Sequence, residues 1–153
     1  MLKPEITVAC IVEKDGRFLL VEETTERGIR FNQPAGHLEA GESIEQGAIR
    51  ETMEETACLV RPVSLVAINL LQYIREGYEE MSFLRFTFEA ELLEQTDNPL
   101  DPDIIRTHWM TYEELMACKD RHRSHLVMDT IDAYRKGIRI PATVLSTRFV
   151  ERK

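Results

Sequence analysis

Glu51, Glu54 and Glu55 fall at spacings of three and four residues. On a helix, at 100° per residue, they occupy an arc of roughly 100° on one side. Three like charges held there repel: at about 6 Å and an effective dielectric of 20, each pair costs roughly 3 kcal/mol. Arg50, one turn before Glu54, offsets part of that. Such a face is either a solvated acidic surface or a cation site. The segment upstream favours the second. Gln33-Pro34-Ala35-Gly36-His37 is a rigid turn whose backbone carbonyls can act as oxygen ligands, and Glu39 and Glu42 follow it. An all-oxygen set of this kind suits a hard divalent ion, Mg²⁺ or Mn²⁺, rather than zinc. Ions of this type bridge carboxylates to phosphates, so a small phosphorylated metabolite or nucleotide is the partner this chemistry fits.

The elements that must position these groups are legible around them. Ser43-x-x-Gln46 is a capping box, and it predicts a helix from Ser43 to about Ala57 whose other face, Ala48, Ile49, Thr52 and Met53, can meet a core. Gly47 lies on the carboxylate side. An interior glycine costs about 0.5–1 kcal/mol, so either something approaches that face closely or a loop packs on it. Upstream, Ile6–Val12 reads as a buried strand, and Asp15-Gly16 as the turn of a β-hairpin that pairs it with Phe18–Val21. Glu22–Arg30 reads as a polar connecting loop, and Phe31–Leu38 as a short strand entering a structured loop. Downstream, Val63–Ile74 and Met81–Leu93 read as strands joined by a turn at Arg75-Glu76-Gly77-Tyr78, after a break at Arg61-Pro62. A loop over Glu94–Pro102 leads to a last strand, Ile104–Met110. Two helices follow, one capped by Thr111 and one over Ser124–Lys136 closed by Gly137. The tail from Pro141 gives no clear pattern. Mixed strands and helices without βαβ alternation predict an α+β layered domain.

The 153 residues, 43% hydrophobic and 30% charged, suffice for one domain with a real core. Nineteen basic residues against 27 acidic ones give a net charge of -8. That surface repels a nucleic acid duplex. No apolar run approaches the ~20 residues of a membrane span. Cys10, Cys58 and Cys118 are odd in number and widely spaced, which fits reduced thiols in a cytoplasmic protein rather than a disulfide framework. An acidic monomer is the default expectation.

Gly36, five residues, Glu42, seven residues, then Arg50-Glu51-Thr52-Met53-Glu54-Glu55-Thr56-Ala57 resembles the Nudix box, with every charged position filled. Thr52 stands at an apolar position of that pattern, Cys58 at its last one, and Ala57 stands where the family has Gly, so the helix is expected to end without a left-handed glycine. Lys3-Pro4, Thr7–Cys10, Val21–Thr24, Asn32–Ala40 and Phe83–Phe86 are similar to a bacterial phosphatase subgroup of the family. The resemblance implies a single domain over residues 1–153 with the Nudix fold, an α/β/α sandwich with a mixed β-sheet. It implies Mg²⁺-dependent hydrolysis of phosphoric anhydrides, and for the subgroup release of phosphate from nucleoside tri- and diphosphates and from a pyrimidine diphosphate precursor of thiamine. By the same resemblance Glu54 and Glu55 are metal ligands, joined by Glu51 and the main-chain carbonyl of Ala35. Glu51 is the general base in some members, and a loop acid outside the box in others. Asp103, six positions before Trp109, fits that outside acid. Arg50 is expected to orient a glutamate, and Glu42 to tie the loop to the helix or to help bind a second ion.

Beyond the box, Arg27 and Arg30 are the favoured phosphate contacts, ahead of Lys14 and Arg17, because their loop precedes the metal-loop segment. His37 sits beside Gly36 within reach of a phosphate, and Tyr73 and Tyr78 flank the downstream hairpin where a ring can stack. His122-x-x-His125 reads as a pair of exposed histidines, and Phe83, Phe86 and Phe88 as core. Two rival functions remain open: a Nudix hydrolase of dinucleoside polyphosphates or nucleotide sugars, and a non-catalytic nucleotide-binding sensor. A Ca²⁺ module is a weaker rival, since the twelve-residue acidic loop is missing.

Overall fold

A strand that is apolar without interruption needs cover on both faces, and Glu5–Ile11 (β1) has it: Val8, Ala9, Cys10 and Ile11 are all buried. In the computed structural model, residues 1–75 and 78–153 are described, residues 78 and 79 by their backbone alone. After β1 come Glu13–Lys14 (β2), Arg17–Thr25 (β3), Gly28–Asn32 (β4) and Ala35–His37 (β5). The helix Ile44–Thr56 (α1) leads into two long strands, Cys58–Arg75 (β6) and Tyr78–Gln95 (β7). Ile104–Met110 (β8), Tyr112–Ala117 (α2), a 3-10 turn at Lys119–Arg121, Leu126–Arg135 (α3), Ile140–Pro141 (β9) and a 3-10 turn at Ala142–Val144 complete the chain.

One sheet runs β5-β1-β7-β6-β9, with β1 parallel to β7 and its other pairs antiparallel. In the second, β3 carries β8 along one edge and β2 then β4 along the other. Alternation within the strands feeds two cores. Val8, Cys10, Val12 and Leu19 pack with Ala48 of α1. Ile11, Phe18 and Leu20 pack with Leu115 of α2 and Val127, Met128 and Ile131 of α3. The result is a mixed α+β sandwich with helices on both sides of the strands.

Three expectations need correction. The Asp15-Gly16 turn exists, with φ of 52° and 76°, but it joins β3 only to the two residues of β2. β1 pairs instead with β5 and β7, because its doubly buried residues belong in the middle of a sheet. Glu22–Arg30 is not a loop: β3 and β4 pair through it from Val21↔Asn32 to Thr25↔Gly28. Its polar residues are strand residues because ion pairs satisfy them, Glu22 with Arg106 at 3.3 Å and Glu23 with Arg123 at 2.5 Å. Pro62 does not interrupt β6, which starts at Cys58 and absorbs the proline at a shift of register between Pro62 and Ser64. Ala57 itself adopts the left-handed conformation, φ 60°, and its N–H closes α1 on Met53 O. Of the turn expected at Arg75–Tyr78, Glu76, Gly77 and the side chain of Tyr78 lie outside the described residues.

The capping box of α1 is complete: Ser43 Oγ accepts from Gln46 N at 3.2 Å, and Gln46 Oε1 accepts from Ser43 N at 2.7 Å. Thr52 tolerates full burial because its hydroxyl donates to Ala48 O at 2.8 Å. A Cβ on Gly47 would lie 2.7 Å from Leu38 Cδ1 and 3.0 Å from Glu42 Oε1, so the glycine lets the loop pack closely on the helix. The three cysteines are free thiols, and burial pushes that of Cys10 up to about 11. No helix among the described residues is long and apolar enough to cross a membrane.

Candidate active site

β5 lies against α1 so closely that a Cβ on Gly36 would fall 2.1 Å from Glu51 Cδ. Glycine there leaves the space that the Glu51 carboxylate occupies, and it lets backbone meet carboxylate. Arg50 organises the side chains around this contact. Its Nε and Nη2 grip both oxygens of Glu42 at 3.0 and 2.7 Å, Nη1 reaches Glu51 Oε1 at 2.8 Å and Glu54 Oε2 at 3.1 Å, and Nη2 also donates to His37 O at 2.9 Å. Glu42 further accepts from Glu39 N at 2.8 Å. One guanidinium thus ties the turn before α1 to two carboxylates on it, and it holds the Glu42 carboxyl below the usual range.

Glu51 and Glu54 converge with a third carboxylate, Asp101, so that one oxygen of each lies within 4.8 Å of the others. Asp101 arrives on the loop after β7, which is fastened to the end of α1: Asp101 N donates to Glu54 O at 2.9 Å, and Thr96 N to Ala57 O at 2.9 Å. Burial pushes the Glu51 carboxyl up, against the pull of Arg50, with Glu54 and Asp101 adding to the rise. Glu55 turns inward. It accepts from Ala35 N at 2.8 Å, is only 7% exposed, and burial raises it to about 9. Charges that repel in this way, all on oxygen ligands, fit a hard dication, and Glu51, Glu54 and Asp101 are the side chains whose oxygens already converge for one.

Beside this cluster opens a cavity of about 340 Å³. Its lining includes the carboxylates of Glu23, Glu51, Glu55 and Asp103 and the apolar or aromatic side chains of Leu71, Tyr73, Phe83 and Leu126. Arg85 also lines it, 5% exposed, and its Nη2 donates to Asn32 Oδ1 at 3.2 Å and Gln33 Oε1 at 3.0 Å. Burial lowers its pKa to about 10 while Glu55 and Glu23 oppose the fall, so it remains a cation near neutrality. Gln33 is itself anchored on α3 through Val127 O at 2.9 Å. Arg123, paired with Glu23, lines the same cavity.

The remaining candidates are distributed unevenly. His37 lies at the cavity with its Nε2 2.8 Å from Glu5 Oε2. Tyr73 lines it and meets the Phe83 ring edge-on at 6.4 Å. Phe83 is therefore a wall of the cavity, whereas Phe86 and Phe88 belong to the core. Arg27 donates to Arg123 O at 2.6 Å and borders a neighbouring cavity of about 380 Å³. Arg30 donates to Ile29 O at 2.9 Å and lines neither cavity. Lys14 lies over Trp109 and Arg17 pairs with Glu114, both away from the carboxylates. His122 is buried rather than exposed, 3.7 Å from Cys118 Sγ, and with His125 it borders the second cavity. Sequence reasoning missed Asp101, Glu23, Arg85 and Arg123. Of these only Asp101 carried a signal, as an acid shortly before the last strand, and the count back from Trp109 singled out Asp103 instead.

A model of the NUDIX domain matches residues 1–130. The chain belongs to the Nudix family. This Nudix chain is 40% identical over 147 residues to Phosphatase NudJ of Escherichia coli K12, covering 95% of the chain and 92% of that relative. Among solved structures, a NUDIX hydrolase from Nitrosomonas europaea superposes with a TM-score of 0.89 at 40% identity, over 95% of this chain and 98% of the other. The NUDIX domain of Shewanella oneidensis NrtR, determined with ADP ribose, shares the fold with a TM-score of 0.69 at 14% identity, over 90% of each chain. Gly36, Glu42, Arg50, Glu51, Glu54 and Glu55 are the glycine and charged positions of the box, to which the fold adds Asp101, and the enzyme class is that of a Nudix hydrolase.

Proposed function

We propose that the protein is a Mg²⁺-dependent Nudix phosphatase that removes the terminal phosphate from small organic diphosphates and triphosphates. Nucleoside di- and triphosphates are the first substrate class to test, and a pyrimidine diphosphate precursor of thiamine the second. The observation that carries the reading is the convergence of Glu51, Glu54 and Asp101 beside a cavity whose lining includes apolar and aromatic side chains. The 40% identity to Phosphatase NudJ supports terminal phosphate release over other cleavages.

When bound, a hard dication supplies positive charge to the diphosphate oxygens and polarises the attacking water; Mn²⁺ can replace Mg²⁺ in that role. Glu51, Glu54 and Asp101 would hold it, with Glu55 and the carbonyl of Ala35 as further ligands. Arg50 keeps Glu51 and Glu54 from relaxing away from one another by bonding both. The proton of the water goes to a carboxylate. Glu51, whose pKa burial raises, and Asp103, at the cavity wall, are the two candidates. His37 and Tyr73 are proposed substrate contacts, Tyr73 as a stacking surface, and Arg27 is proposed as one only for a substrate that reaches the neighbouring cavity; Arg30, which lines neither, is set aside.

The test is a screen of phosphorylated metabolites with Mg²⁺, scored separately for orthophosphate and pyrophosphate, with Glu54→Gln as the control. Orthophosphate release by the wild type, lost in Glu54→Gln at unchanged circular dichroism, is the expected result. Wild-type rates in that variant would remove Glu54 from the site. A second reading draws on the neighbouring cavity, which shares Tyr73, Arg123 and Ser124 with the first and gives a two-ended substrate somewhere to lie. Two nucleotide fragments from one dinucleoside polyphosphate or nucleotide sugar would select it.

A further inference from the structure

Arg85 is a buried cation with part of its donor capacity unused. Among the described residues, both hydrogen bonds of its guanidinium are made by Nη2, to Asn32 and Gln33. Nε and Nη1 make none, yet neither is among the sealed polar atoms left without a partner, which are Asn69 Oδ1, Ser82 Oγ and Thr87 Oγ1. They therefore keep an opening, and the cavity that Arg85 lines is where it lies. Asn32 and Gln33 hold the group in place, so little side-chain entropy remains to be lost on gripping a ligand.

Register fixes what stands on either side. Side chains two residues apart on a strand share a face at roughly 7 Å. Along β7, Thr87 pairs with Ala9, whose other partner is Ala35, the residue that donates to Glu55. Phe83 pairs with Leu71, and Met81 with Tyr73. Arg85 thus sits one step from the carboxylate end and one step from the Leu71–Phe83 wall. A guanidinium presenting two N–H groups suits phosphate oxygens.

We propose that Arg85 holds the phosphate that joins the organic group to the phosphorus under attack, seating the organic end on Leu71, Tyr73 and Phe83. The assignment rests on the reading of this site as one for organic diphosphates. It makes Arg85 a substrate-binding residue that separates the retained phosphate from the departing one.

Titration calorimetry of the full chain in Mg²⁺ with UMP and with uridine tests it, comparing wild type with Arg85→Lys, which keeps the charge and loses the paired donors. The expected result is a fall in UMP affinity of about tenfold or more with uridine affinity unchanged, and a matching rise in KM for UDP. Equal UMP affinity in the two proteins, equal weakening of UMP and uridine, or no UMP binding by the wild type overturns the assignment. Should the lysine variant fail to fold, wild-type crystals soaked in UMP decide instead. Phosphate oxygens on Nε and Nη1 support it, and a phosphate elsewhere overturns it. A wild type that releases orthophosphate while Arg85→Lys binds UMP normally fails this assignment alone; a wild type that releases none from any organic diphosphate fails the functional reading itself.

Discussion

Glu51 and Glu55 are one turn apart on α1 and have opposite surroundings. Glu51 faces Arg50 and the oxygens of Glu54 and Asp101, while Glu55 faces the backbone of Ala35 and the buried end of the cavity. Gly36 makes the first arrangement possible. In Gly36→Ala the new methyl would occupy the position of the Glu51 carboxylate, with 2.1 Å between Cβ and Cδ. The carboxylate is the far end of a flexible side chain, so it will swing aside at small cost in stability. Displacement by about 1 Å costs on the order of a hundredfold in rate. Orthophosphate release should therefore drop by about that factor while Tm stays nearly constant, as paired kinetics and thermal denaturation will report. The convergence of Glu51 and Glu54 was legible in the sequence because helical spacing aligns them, whereas Glu55, expected on the same face, turns to Ala35 N instead. Asp101 was not legible, since a loop residue acquires its position only from the fold.

At the scale of elements, α1 is defined by its two ends. The Ser43–Gln46 capping box reads directly from residue types, and it starts the helix where expected. The other end closes as expected without a glycine, and Ala57 itself takes the left-handed conformation there. A Cβ in that region costs roughly 1–2 kcal/mol, less glycine's extra freedom in the unfolded chain. Ala57→Gly should thus stabilise the protein by about 0.5–1 kcal/mol, raising the midpoint in urea without changing the slope. Ala57 O also receives the N–H and hydroxyl of Thr96, at 2.9 and 2.8 Å, so the loop bearing Asp101 is fixed to this helix end. Thr96→Val keeps the shape and loses the hydroxyl bond. It should weaken Mg²⁺ binding, measured by titration, more than it lowers Tm. The β3–β4 hairpin escaped sequence reading for a related reason: Glu22 and Glu23 look like loop residues until the arginines that pair with them, Arg106 and Arg123, are brought across from distant positions.

For the molecule as a whole, stability without a cation should depend on pH through Glu55. Its carboxyl is raised from 4.5 to about 9 in the folded protein. Below pH 4.5 it is neutral folded and unfolded alike. As pH climbs from 4.5 to 9 the unfolded chain releases the proton first, so the folded state loses stability across that window. In EDTA, Glu55→Gln should match wild type in Tm near pH 4 and exceed it increasingly toward pH 9, and Mg²⁺ should narrow the gap by holding the ionised wild-type carboxylate. Composition and alternation made the layered α+β class legible. The division of strands between two sheets was not, because a turn motif such as Asp15-Gly16 specifies neighbours in sequence and cannot say that β1 belongs with β7.

That parallel pairing of β1 with β7, from Glu5↔Phe83 to Ile11↔Glu89, carries an implication for biosynthesis. During translation Val8–Ile11 can lean on β5 and α1, but its β7 edge stays open until Phe83–Glu89, past the midpoint of the sequence, has been made. For that interval its most water-averse stretch is an exposed sticky ribbon. Chaperone binding to nascent chains should therefore peak early and subside once Glu89 has cleared the exit tunnel.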